Sequence, residues 1–231
     1  MTNFAISVEE RNKYLVVVAG GSGTRMGSDT PKQFLELSGV PILQRTIERF
    51  VEAEPGIRVV TVLPSAFRPL WEELCAKHGL NVPQLIAEGG LTRFHSVKNA
   101  LAKVPDGALV AVHDGVRPLV SVALIRRMFA EMSGARALVP VLPVTDTLRN
   151  KDPQGPDPDR SRIVAVQTPQ IFRSEELRAA YSKLGFSTAF TDDASVAKEY
   201  GIPLTYTAGE RYNIKITTPE DLSLARLLLT L

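Results

Sequence analysis

An apolar run that empties directly into a glycine-rich loop restricts this chain more than any other feature. Val16-Val17-Val18-Ala19 leads into Gly20-Gly21-Ser22-Gly23-Thr24-Arg25-Met26-Gly27, closed by Pro31-Lys32. Four glycines in eight residues exceed what a turn requires. Glycine adopts backbone conformations closed to other residues and lets a ligand approach the main chain without a Cβ in the way. Successive N–H groups can then line a concave nest for phosphate oxygens, and Arg25 and Lys32 add cations beside it. The expectation is a triphosphate cradle. A plain strand–helix turn would need one glycine, not a run ending in Arg and Pro-Lys.

Two common phosphate cradles can be set aside. A P-loop places Lys directly after its last glycine, and none follows Gly27. The dinucleotide fingerprint, G-x-G-x-x-G, opens a helix. Here the third glycine sits one place late, and Pro31 prevents a helix from running uninterrupted out of the loop. A nicotinamide-dependent oxidoreductase is disfavoured accordingly.

Downstream, strand and helix periodicities alternate. Apolar spacing predicts helices over 41–51, 67–78, 92–103, 121–132 and 174–184, with further helices headed by Thr191-Asp192 and by Thr218-Pro219-Glu220. Buried strands are expected at 58–63, 84–87, 108–112, 137–144, 204–207 and 213–216. Such alternation means an α/β fold in three layers, a mostly parallel sheet with helices on both faces. Ligands in such sheets lie beyond the carboxyl ends of strands. Three loops would converge there: after Ala19, after Ala87 with its Gly89-Gly90 pair, and after Val112.

The Pro- and Asp-rich stretch 151–162 breaks the alternation between two β-like runs. It predicts a projecting β-arm at about 142–164 of a single 1–231 domain. So long an arm has little core of its own, and packing on a second copy of the chain would explain it. Asp114, at the end of a buried strand, is placed to hold Mg²⁺ or to cap its own turn. Arg117 would reach a phosphate or tie down Asp114. Lys215, between Ile214 and Ile216, would be a solvated residue or a cation aimed into a cleft. His113 reads as a packed histidine rather than a ligand, since no histidine has metal-ligand spacing.

The formal net charge of +2 argues against a general nucleic-acid surface. One cysteine, Cys75, excludes an intrachain disulfide and fits a reducing cytoplasm. No stretch approaches the roughly 18–20 apolar residues that span a bilayer, and the first residues do not read as a signal peptide. A cytoplasmic enzyme without membrane contact is expected.

Eight short motifs then occur in one order. They are Gly20-Gly21-x-Gly-x-Arg25-Met26, Pro31-Lys32-Gln33-Phe34, Gly89-Gly90-x-x-Arg93-x-x-Ser96-Val97, His113-Asp114-x-x-Arg117-Pro118 and Asp146-Thr147; after these come Gln167-Thr168-Pro169-Gln170, Thr191-Asp192-Asp193-Ala194-Ser195 and Asn213-Ile214-Lys215-Ile216-Thr217. From about Tyr14 onward the chain resembles the 2-C-methyl-D-erythritol 4-phosphate cytidylyltransferases of isoprenoid precursor biosynthesis. The resemblance implies a Rossmann-like nucleotidyltransferase fold and transfer of CMP from CTP to the polyol phosphate. It implies that Arg25 and Lys32 stabilise charge at the α-phosphorus of CTP, while the backbone of Ala19, Gly20, Gly21 and Gly23 holds the triphosphate. Gly90 and Ser96 would contact cytosine, and Asp114 would lie by the ribose, the phosphates and Mg²⁺. Arg160 and Lys215 would position the acceptor phosphate, with Thr147, Thr168, Thr191 and Arg117 around it. Arg160 is preferred over Arg162 because it stands eight residues before Thr168. Leu91 departs from the polar or acidic residue common after Gly90, which leaves backbone groups to read the base edge. The arm would reach into a partner subunit's site in a homodimer. A ribitol 5-phosphate cytidylyltransferase and a non-catalytic CTP-binding module are the alternatives.

Overall fold

The apolar run forms β1 (Lys13–Val18), and its side chains divide by parity. Leu15 and Val17 join one buried cluster, Tyr14 and Val16 another. That period-two split is what a strand covered on both faces requires. The structure, a computed structural model, describes residues 11–21 and 30–230. The expected phosphate-loop residues Gly23 and Arg25 lie outside the described residues.

After β1 come the short pair β2 (Glu36–Leu37) and β3 (Val40–Pro41), then α1 (Ile42–Ala53), β4 (Arg58–Leu63), α2 (Arg68–His78), β5 (Gln84–Glu88), α3 (Arg93–Leu101), β6 (Leu109–Asp114), α4 (Val122–Glu131) and β7 (Ala137–Pro143). The remainder is β8 (Val164–Val166), β9 (Gln170–Arg173), α5 (Ser174–Lys183), α6 (Asp193–Glu199), β10 (Leu204–Ala208) and α7 (Pro219–Leu228). The main sheet runs β10-β7-β9-β6-β1-β4-β5, with β8 beside the end of β7. β1, β4, β5 and β6 are parallel neighbours, as are β7 and β10. One face carries α1, α2 and α4, which insert Phe50, Trp71 and Phe129. The other carries α3, α5 and α6, which insert Phe94, Tyr181 and Val196.

Local signals set most boundaries. Thr92 and Ser121 cap α3 and α4 by accepting from His95 N and Leu124 N. Asp192 and Thr218 form capping boxes at α6 and α7. Gly79 ends α2 in the left-handed conformation at φ 68°.

Two expectations change. β9 is a strand that helical and strand spacing did not pick out; it lies antiparallel between β6 and β7. It is only four residues long, and its burial, with Ile171 and Phe172 fully covered, comes from those neighbours. The strand expected at 213–216 does not form. There Ile216 N donates to Val116 O (2.9 Å), and Ile216 is buried in a small third cluster beside Leu37 and Ala225. The arm projects as a β7–β8 hairpin, with Val141, Leu142 and Pro143 opposite Val166, Ala165 and Val164. Its regular pairing stops at Pro143, and the tip is tied by side chains instead, such as Arg149 to Asp157 (2.9 Å).

Candidate active site

The carboxyl ends of β1, β5 and β6 open onto one cleft with two lobes. The first lobe is lined by Ala19, Gly20 and Gly21 after β1, by Lys32 and Gln33, by Gly90 to Arg93 after β5, and by Ser96, Asp114 and Lys215. The second is lined by Arg117, Gln167, Thr168, Gln170, Thr191 and Asp192. Arg93, Asp114 and Lys215 belong to both lobes. They form the shared wall.

Backbone and small side chains build the first lobe. β1 continues through Ala19, whose N–H donates to Val62 O (2.8 Å). Gln33, buried in the middle of a 3₁₀ turn over Lys32–Phe34, donates through Nε2 to Ala19 O (2.7 Å) and Gly21 O (3.1 Å). With these carbonyls held by Gln33, the strand end is braced on its acceptor side. Gly90 N donates to Ser96 Oγ (3.0 Å), which donates onward to Thr92 O (2.9 Å). A Cβ on Gly90 would stand 2.4 Å from His95 Cβ and 3.0 Å from the His95 carbonyl carbon, so only glycine lets this loop close onto α3. Leu91 is almost wholly exposed at the cleft mouth.

Charge concentrates in the shared wall. Asp114 Oδ2 receives Arg117 Nε (3.1 Å) and Lys215 Nζ (3.1 Å), while Oδ1 faces Arg93 Nε at 4.0 Å. Burial pushes the Asp114 carboxyl up; Arg93, Lys215 and Arg117 more than reverse this and hold it well below the usual carboxylate range. Arg117 ties Asp114 to the segment after β10: besides Asp114, its Nη1 donates to Asn213 O (2.8 Å). Lys215 lines both lobes, with its Nζ drawn to Asp114, while its neighbour Ile216 is fully buried.

The second lobe is built from buried side-chain networks. Thr168 Oγ1 accepts from Asp114 N (3.1 Å) and lies 3.0 Å from His113 Nδ1. Burial lowers the His113 pKa to about 3, so the ring is neutral at working pH. With Nε2 placed toward Arg117 O (3.3 Å), Nδ1 is left to accept the Thr168 hydroxyl hydrogen. The Thr168 side chain therefore holds the end of β6 in place. Asn213, fully buried, donates to Thr168 O (2.8 Å) and so fixes the segment that carries Lys215.

Most sequence-predicted residues meet here, but not all. Ala19, Gly20, Gly21, Lys32, Gly90, Ser96, Asp114, Arg117, Thr168, Thr191 and Lys215 line the two lobes. Thr147 and Arg160 lie on the exposed arm and line neither; Arg160 donates to Thr145 O (2.9 Å). Gln33, Arg93, Gln170 and Asn213 were not singled out as site residues. All four stand inside quoted motifs, but their partners lie elsewhere in the chain. No group of three metal-ligating His, Cys, Asp or Glu converges among the described residues. A larger, apolar hollow between Tyr14, Val51, Ile57 and Val82 has one charged side chain, Arg58, already engaged with Tyr14.

Comparison with known proteins agrees with this geometry. A sequence model of the 2-C-methyl-D-erythritol 4-phosphate cytidylyltransferases matches residues 14–231. The enzyme of that name from Porphyromonas gingivalis (strain W83) is 51% identical over 225 residues, covering 96% of this chain and 99% of its own. The one from Bacteroides fragilis is 46% identical over 215 residues, covering 93% and 98%. The crystal structure of the Thermus thermophilus enzyme superposes with a TM-score of 0.77 at 31% identity, covering 95% of this chain and all of that one. The chain belongs to the 2-C-methyl-D-erythritol 4-phosphate cytidylyltransferase family.

Proposed function

We propose that this enzyme transfers CMP from CTP to 2-C-methyl-D-erythritol 4-phosphate and releases pyrophosphate, a step in making isoprenoid precursors. The observation that carries the reading is the wall of Arg93, Asp114 and Lys215 shared by two lobes. One lobe, with its open backbone and Lys32, suits a nucleotide. The other, with Thr191 beside Arg117 and Lys215, suits a second phosphate.

An oxygen of the acceptor's phosphate attacks the α-phosphorus of CTP, forming one P–O bond as the bond to pyrophosphate breaks. A phosphate oxygen is already ionised at neutral pH, so no general base is required. Catalysis is then alignment plus stabilisation of charge on the α-phosphate oxygens. Lys32 and Lys215, which both line the nucleotide lobe, supply that charge, with Arg25 as a third cation by family resemblance. The backbone of Ala19, Gly20, Gly21 and Gly23 holds the triphosphate; Gly90 and Ser96 contact the base.

A divalent cation fits this site only together with the nucleotide. Mg²⁺ favours one or two carboxylates plus phosphate oxygens and water, and Asp114 offers one carboxylate, whose Oδ1 has Arg93 no closer than 4.0 Å. Bound there, it would neutralise charge between phosphate oxygens.

Thr147 and Arg160, remote from this chain's cleft, act on a partner's acceptor phosphate, and the arm at 142–164 joins two single-domain subunits. Exposed Val164 and Val166 support that reading. Mixing inactive Arg160→Ala and Lys215→Ala subunits tests it. Random pairing leaves one intact site in half the dimers, so about a quarter of wild-type activity should return; no recovery would exclude a shared site. A cytoplasmic location accords with the unpaired Cys75. No helix among the described residues is long and apolar enough to cross a membrane.

Pyrophosphate release across CTP, UTP and ATP, each with 2-C-methyl-D-erythritol 4-phosphate or ribitol 5-phosphate, tests the function. CTP with the methylerythritol acceptor should turn over fastest. Faster use of ribitol 5-phosphate would overturn the acceptor, and CTP binding without pyrophosphate would make the chain a binding module.

A further inference from the structure

The guanidinium of Arg93 does more than line the cleft. Arg93 is the first residue of α3, the helix that carries Ser96 beside the nucleotide lobe. Asp193 is the first residue of α6, directly after Thr191 and Asp192 of the acceptor lobe. Arg93 Nη2 donates to Asp193 Oδ2 (2.7 Å), and Tyr181 OH donates to Asp193 Oδ1 (2.7 Å). The Asp193 side chain is fully buried and touches neither lobe. Gln170 holds the same turn from β9: its Nε2 donates to Asp192 Oδ2 (2.8 Å), and its Oε1 accepts from Ala194 N (2.8 Å).

A buried ion pair is weak evidence of a device for stability, because desolvation offsets much of the attraction. This one is placed where geometry matters. Arg93 Nε faces Asp114 while its Nη2 holds Asp193, so one planar fork joins the end of β6 to the start of α6. Lysine, a single point charge, lacks that fork.

We infer that Arg93 and Asp193 are a positioning pair that suspends the Thr191–Asp192 wall of the acceptor lobe from the helix framing the nucleotide. The pair sets how far the acceptor's phosphate stands from the α-phosphorus of CTP. Asp193 contacts no substrate and acts through Thr191 and Asp192. The inference rests on the second lobe taking the acceptor's phosphate.

Steady-state kinetics of the full chain, varying each substrate separately, tests it. Asp193→Asn keeps the shape and removes the charge that Arg93 holds. It should raise KM for 2-C-methyl-D-erythritol 4-phosphate on the order of tenfold, as expected for losing a charge-assisted bond, and move KM for CTP by less than about twofold. Tyr181→Phe removes one hydroxyl and should act in the same direction by roughly fivefold or less. If Asp193→Asn does not fold, Tyr181→Phe alone decides. Unchanged KM for the acceptor, equal rises for both substrates, or a lower melting temperature with both KM values intact would each overturn the pair's role. Absence of pyrophosphate release by the wild type would instead overturn the functional reading itself.

Discussion

The two lobes of the cleft are built by different constructions. The nucleotide lobe is made at the ends of parallel strands, from main chain freed of side chains at Gly20, Gly21 and Gly90. The acceptor lobe lies where β9 intrudes antiparallel between β6 and β7, and its walls are set by buried side chains: His113, Thr168, Gln170 and Asp193. Main-chain sites depend on local conformation, so steric changes damage them most. Side-chain sites depend on long-range hydrogen bonds, so even isosteric changes that remove one polar atom should be felt.

Replacing the element common to both lobes should have the largest effect. Lys215→Ala removes a cation from the shared wall and should reduce turnover on the order of 10²–10³-fold, measured as pyrophosphate release at saturating substrates. A loss confined to KM for one substrate would assign Lys215 to a single lobe. Gly90→Ala attacks the first lobe only. The new Cβ must displace the backbone of His95, so CTP binding by calorimetry should weaken about tenfold or more, by analogy with misplaced positioning groups. Acceptor affinity should change little.

Thr168→Val examines the second construction. It conserves shape but strands Asp114 N and His113 Nδ1 in the interior. A stability loss of about 1–3 kcal/mol is expected from denaturant unfolding; no loss would mean that water replaces the hydroxyl. The smallest effect is one of pH. The folded Asp114 carboxyl is held below its unfolded value. Its contribution to stability is therefore fully present above an unfolded pKa of about 3.9 and is lost as pH falls through the folded value. The stability gap between wild type and Asp114→Asn should stay level from about pH 5 to pH 8 and narrow below about pH 4. A gap that persists unchanged in acid would mean that Asp114 is not held by its cations.

The same contrast explains what the sequence made legible. The part of the first lobe that follows β1 was legible because its residues are adjacent in the chain: an apolar run, then glycines, then Pro31-Lys32. Helix starts were equally local, as Thr92, Ser121, Asp192 and Thr218 bear out. Strand β9 has no such signature, because Ile171 and Phe172 are buried by neighbours far away in sequence. Lys215 was visible as ambiguous alternation, and only its 3.1 Å approach to Asp114 decides which way it points. Arg93 and Asp193 are a hundred residues apart, and nothing local to either reveals the other. Thr147 and Arg160 were named through family resemblance, and this chain's own cleft does not gather them.

The most direct test of the shared wall is a crystal structure with CTP and 2-C-methyl-D-erythritol 4-phosphate bound together to a slow variant such as Lys32→Ala. The triphosphate should lie along Gly20 and Gly21, and the acceptor's phosphate between Thr191 and Lys215. One acceptor oxygen should then lie about 3–3.5 Å from the α-phosphorus, in line with the departing pyrophosphate. An acceptor phosphate bound away from Lys215, or a triphosphate outside the Gly20–Gly90 lobe, would contradict it.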